Sequence, residues 1–128
     1  MNKEQADSYL KSLVSAYVWI ASSDNGVDGL EFHKYENAII ESQYASQFNV
    51  EDIRRYFKDM VAAFSDDYDA GIQLTKARLT DLRGQIHLAE EVIRICRAAI
   101  VGDGKIEDPE ELVLTEIAKA VGIKHDAL

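Results

Sequence analysis

Apolar residues recur along this chain at steps of three and four, and no segment between turn signals alternates at a step of two. The pattern therefore predicts helices and no strands. A first helix carries Leu10, Leu13, Val14, Tyr17, Ile20 and Ala21 as one buried stripe and ends near Ser22 and Ser23. Asp24-Asn25-Gly26-Val27-Asp28-Gly29 follows, a run dense in residues that tolerate positive φ, and it reads as a tight loop. Asp28 with Glu31 fits a capping box opening a second helix that carries Phe32, Tyr35, Ile39 and Ile40. After a polar stretch from Ser42 to Phe48, Asn49 suits the N-cap of a third helix with Val50, Ile53, Phe57, Met60, Val61 and Phe64 on one face.

Ser65-Asp66-Asp67-Tyr68-Asp69 reads as an acidic turn, and Ile72 with Leu79 predicts a shorter fourth helix. Leu82, Ile86, Ala89, Ile93, Cys96 and Ile100 form a seam packed along its whole length, which marks this stretch as the central helix. Gly102-Asp103-Gly104 stops it. Asp108-Pro109-Glu110-Glu111 then supplies an N-cap, a first-turn proline and a capping glutamate for a last helix with Leu114, Ile117 and Val121, closed by Gly122. The expected architecture is all-α, one domain over residues 1–128, a bundle of about six helices joined by short loops.

Two stretches of this pattern match each other. Asp24-Asn25-Gly26-Val27-Asp28-Gly29-Leu30-Glu31 aligns without a gap on Asp103-Gly104-Lys105-Ile106-Glu107-Asp108-Pro109-Glu110. Acids fall at the first, fifth and eighth positions of both copies and an aliphatic residue at the fourth, with an apolar helix running in and out of each. Two related helix-loop-helix units are the plainest reading, and such units pack as a pair because each has an apolar face the other can cover.

On these residues the chain resembles the tellurite-resistance TerB family, in which an apolar helix, an Asp-Gly loop with further acids and a glutamate opening the next helix occur twice. The resemblance runs from about Leu10 to Ile123 and includes the helix ending Phe64-Ser65-Asp66-Asp67-Tyr68-Asp69. The second copy matches more closely, since the first has Asn25 where the glycine is expected and Gly26 one place later. The resemblance implies an all-helical module of bacterial stress responses, with no known catalysis and with acidic loop residues that bind divalent cations. Similar domains occur within larger proteins, which implies an adaptor role and protein partners.

Charge narrows the partners further. Twenty-three Asp and Glu against 14 Lys and Arg leave a net charge of -9, which repels phosphate backbones and anionic lipid surfaces. Charge thus argues against nucleic acid as a partner, and no apolar run approaches the roughly 20 residues of a membrane span. Cys96 is the only cysteine, so no internal disulfide can form, and a reducing, cytoplasmic setting is expected. Its place on the seam predicts a buried, inert thiol. His33, His87 and His125 share no zinc-helix spacing, and Trp19 is expected in the core or at its edge. Arg54, Arg55, Arg94 and Arg97 are expected to pair with acids one turn away, such as Glu51 and Glu90.

Carboxylates clustered in a turn before a helix are a workable source of the oxygen ligands that calcium needs. The candidate ligand set is Asp24, Asp28 and Glu31 of one loop with Asp103, Glu107 and Glu110 of the other. An EF-hand is excluded: counting from Asp24, the twelfth position is Tyr35 instead of a bidentate glutamate, and in the second copy the third position is Lys105. The competing reading is structural. Asp28 with Glu31, and Asp108 with Glu111, are also complete as capping boxes, leaving a purely structural or protein-interaction domain whose acids cap helices. Asp24 and Asp103 separate the two readings, because they precede the caps and are not needed for them.

Overall fold

The computed structural model describes residues 2–25, 36, 37, 39–100 and 108–123, without the side chains of 24, 25, 99, 100 and 108. Five α-helices lie among the described residues: α1 (Lys3–Asn25), α2 (Val50–Asp66), α3 (Tyr68–Thr80), α4 (Ile86–Ile100) and α5 (Asp108–Val121), with a 3-10 turn at Ala45–Gln47. No strand occurs among the described residues, as the absence of two-step alternation predicted. The predicted second helix falls largely outside them, although positions 36, 37, 39 and 40 are helical.

The helix at the centre is α1, not the predicted seam of residues 82–100. At 23 residues it is about 34 Å long, and α2, α3, α4 and α5 all pack against it. Leu13, Val14, Ser15, Ala16, Val18 and Ile20 are fully buried, so burial extends around the helix and not along one stripe. Its serines hid this from the hydropathy pattern. The hydroxyls of Ser12, Ser15 and Ser22 donate to the carbonyls of Ser8, Lys11 and Trp19 within the same helix, which satisfies them without water.

Around α1 the other helices are one-sided. On α2 the Asn49 side chain accepts from the Glu51 amide at 2.7 Å, the predicted cap. Ile53, Phe57, Met60 and Phe64 are buried as expected, but Tyr56 joins them while Val50 stays 47% exposed in the first turn. The expected acidic turn narrows to a single residue. Asp66 still belongs to α2, and Asp67 alone leaves the helical conformation (φ -153°, ψ 105°), its carboxylate accepting from the Ala70 amide to start α3. Gly71 lets α3 come close to α2, since a Cβ there would lie 2.9 Å from the Phe64 ring.

The seam is broken where it was read as continuous. Gly84 has φ +88° in the turn at 81–85, so Leu82 is buried ahead of α4 and Ile86, its first residue, is half exposed. At the far end Gly122 (φ +82°) closes α5 as predicted: its amide donates to the Lys119 carbonyl and that of Ile123 to Ala118, a Schellman pattern. Arg83 adds donors to the carbonyls of Lys119 and Ala120 at 3.0 and 2.9 Å.

These cross-links fix helix directions. Arg78 near the end of α3 meets Ser12 and Ser15 of α1, whereas Lys76 lies over the Trp19 ring, so α3 runs antiparallel to α1. Lys76 also approaches Glu116, and Arg83, beyond the end of α3, reaches Lys119 and Ala120. Hence α5 runs parallel to α3 and antiparallel to α1.

Candidate functional site

Antiparallel α1 and α5 place the last turn of α1 and the first turn of α5 at the same end of the bundle. Trp19 and Glu116 share a level through Lys76. From there Asn25 lies about 9 Å further along α1, and Asp108 about 12 Å back along α5, at 1.5 Å per residue. The C-terminus of α4, which packs on both α1 and α5, is joined to α5 by the short connection 101–107. The described helix turns that flank the two predicted acidic loops in sequence, the last of α1 and the first of α5, thus lie at one end of the bundle.

Of the candidate ligands, Asp24 stands in the last turn of α1 and Glu110, half-buried, in the first turn of α5. Asp28, Glu31, Asp103 and Glu107, and the side chain of Asp24, lie outside the described residues, as does the capping box of Asp28 with Glu31. Among the described residues no three His, Cys, Asp or Glu side chains gather to hold a metal ion. Asp108 is already the first helical residue of α5, one position later than its predicted place as N-cap. The donor chemistry of the six carboxylates fits a hard divalent cation such as calcium or magnesium, which takes oxygen ligands.

Two polar clusters escaped the sequence reading. Glu91 on α4 is buried, with 5% of its side chain exposed, and the guanidinium of Arg94 donates to it through two nitrogens. Gln43 adds a weaker bond at 3.4 Å from the segment before α2. Burial pushes the Glu91 carboxyl up, but Arg94, Gln43 and Ser42 outweigh it and hold the group below the usual carboxylate range. The predicted partner of Arg94, Glu90, is exposed to solvent. A helical spacing of three serves as well as four, and only the structure shows which acid turns inward.

The second cluster joins the N-terminal part of α1 to α2. Tyr56 donates its hydroxyl to the Asp7 carboxylate, Lys11 lies 3.3 Å from Asp7, and Arg55 pairs with Asp52 at 2.8 Å. The Tyr56 bond and the Lys11 charge lower the Asp7 pKa; burial and Asp7 raise that of Tyr56. A groove of about 520 Å³ beside them is lined by Lys3, Glu4, Leu10, Phe48 and Asp52. Arg54 pairs with Glu36 at 3.1 Å, across the fold.

Cys96 and Trp19 lie where the sequence pattern put them. Cys96 is fully buried and burial pushes its thiol up to about 12, far from a nucleophile's range. Trp19 is core, His87 is exposed, and His33 and His125 lie outside the described residues. No described helix is long and apolar enough to cross a membrane.

A helical bundle wound around a buried first helix, in an acidic chain, is the class of protein that fold and charge define. The family model described as tellurite resistance protein TerB matches residues 11–128, and the chain belongs to that family. No curated protein and no solved structure matches it.

Proposed function

We propose that the chain is a TerB-type binding module, not an enzyme, which takes a divalent cation such as calcium at the end of the bundle where α1 and α4 finish and α5 begins. The observation that supports this reading is the antiparallel run of α1 and α5, which puts the last turn of α1, where Asp24 stands, at the same end of the bundle as the first turn of α5, where Glu110 stands. Carboxylates collected there repel one another, and a hard cation offsets that repulsion while tying the two helix-loop-helix units together. Cation occupancy would then set how the acidic end meets basic protein partners in a cytoplasmic stress response of the tellurite-resistance type.

Calcium titration calorimetry on the wild type and on a D24N/D103N variant tests the site. Heat of binding is expected in the wild type and lost in the variant, with a matching rise in melting temperature only for the wild type. Identical heats overturn the metal reading. A second reading is favoured by Asn49 and Asp67, each occupied in capping a helix. On that reading the loop acids cap helices as well, the domain works solely through its helix faces, and calcium moves neither heat nor melting temperature.

A further inference from the structure

The segment from Glu41 to Phe48 is polar in sequence, yet it is pinned over α1. Tyr44 and Phe48 set their rings edge-on against the Tyr9 ring, at 5.5 and 5.9 Å between centroids. Ser42 is buried in the same place, and its hydroxyl oxygen accepts from the Tyr44 amide at 3.2 Å. Gln43 reaches Glu91 on α4.

Beneath this segment, the hydroxyl of Tyr9 is fully buried and makes no hydrogen bond. Buried hydroxyls are almost always paired, so its surroundings call for an acceptor. Ser42 is the group that faces both Tyr9 and Glu91. A serine hydroxyl has one proton and two lone pairs. One lone pair takes the Tyr44 amide, the other is free for the Tyr9 O–H, and the serine proton is then free for the Glu91 carboxylate.

We propose that residues 41–48 form a strap latched across α1 by a buried hydrogen-bond chain, Tyr9 to Ser42 to Glu91, with Arg94 and Gln43 holding the carboxylate at its end. Glu91 is the anchor, because it collects donors from the strap, from α4 and, through Ser42, from α1. When the anchor is lost the strap opens as one unit, uncovering Ile39, Tyr44 and Phe48, while the packed helices α1 to α5 stay folded. Such a local opening is a low-energy unit of the native protein.

Native-state hydrogen exchange on the whole chain tests this. The amides of Ser42, Ala45, Gln47 and Phe48, which donate to the carbonyls of Ile39, Ser42, Tyr44 and Ala45, are the reporters, and Phe57 in α2 is the reference. In Glu91→Gln the four reporters are expected to exchange together at least tenfold faster, with Phe57 unchanged. Tyr9→Phe is expected to accelerate them several-fold in the wild type and to add nothing in the Glu91→Gln background. If the Tyr9 hydroxyl is merely stranded, its removal leaves exchange unchanged or slows it, and the chain is refuted. Acceleration of Phe57 along with the reporters in Glu91→Gln also overturns the strap. Should that variant fail to fold, Gln43→Ala removes the strap's direct bond to Glu91 alone; a several-fold rise confined to the reporters is expected, and none overturns the latch.

Discussion

Helices α1 and α2 pack side by side, yet they obtain their stability in opposite ways. α2 buries one face and shows Arg54, Arg55 and Lys58 to solvent on the other. Polar residues on α1 sit inside, and three of its serines return their hydroxyls to its own carbonyls. The lesson is that a serine inside a helix is weak evidence for a solvent face, because the helix itself can satisfy the hydroxyl.

Truncation should expose the contrast most strongly. Leu13, fully buried within α1, has neighbours on every side and little room to relax. Leu13→Ala is expected to lower unfolding free energy in urea by about 2–5 kcal/mol. Val50→Ala, at the exposed start of α2, should stay within about 0.5 kcal/mol. Equal losses at the two sites would break the distinction between a helix buried all round and one buried on a single face.

The contact of α2 with α3 comes next. Alanine is worth about 1 kcal/mol over glycine inside a helix, so propensity alone favours Gly71→Ala. The added methyl, however, would stand 2.9 Å from the ring of the buried Phe64, and an aromatic ring packed in a core yields little. Overpacking should win, with a net loss of about 1–3 kcal/mol read by thermal or urea unfolding. A more stable Gly71→Ala protein would mean that α3 can shift away from α2.

The same contrast explains what the sequence made legible. α2 was readable because its apolar residues, its Asn49 cap and its polar outer face agree. The end of α5 was readable because Gly122 takes the positive φ that a glycine cap requires. α1 was found, but its central place was hidden by Ser12, Ser15 and Ser22, whose partners are set by helix geometry and not by pattern. The break before α4 was hidden because Leu82 and Ile86 keep helical spacing across Gly84. At the candidate site, the repeat of acids gave the residues, while the common end of the bundle depends on contacts made by Lys76, Arg78 and Arg83, long side chains whose reach no spacing rule predicts. Glu91 shows the same limit, since Glu90 and Glu91 look alike until the fold turns one of them inward.

The smallest expected effect lies in the tie between the two helices, where the Asp7 carboxylate of α1 receives the Tyr56 hydroxyl of α2. Tyr56 and Lys11 hold the Asp7 pKa below its ordinary value of 3.8, so the folded state binds its proton less readily than the unfolded chain does. The stabilisation is therefore complete above about pH 4 and is lost as pH falls through the lowered folded value. Asp7 and Lys11 are each 40% exposed, and solvent screens them, so the contribution should be no more than about 1 kcal/mol. In Asp7→Asn the decline of melting temperature with acid should be shallower than in the wild type, with convergence of the two curves once pH has fallen through the lowered folded value. Added salt should shrink the difference at Asp7 but leave that of Glu91→Gln largely intact, because the Glu91 carboxylate is buried. A difference at Asp7 that ignores salt would show that its bond to Tyr56, not its charge pair with Lys11, joins α1 to α2.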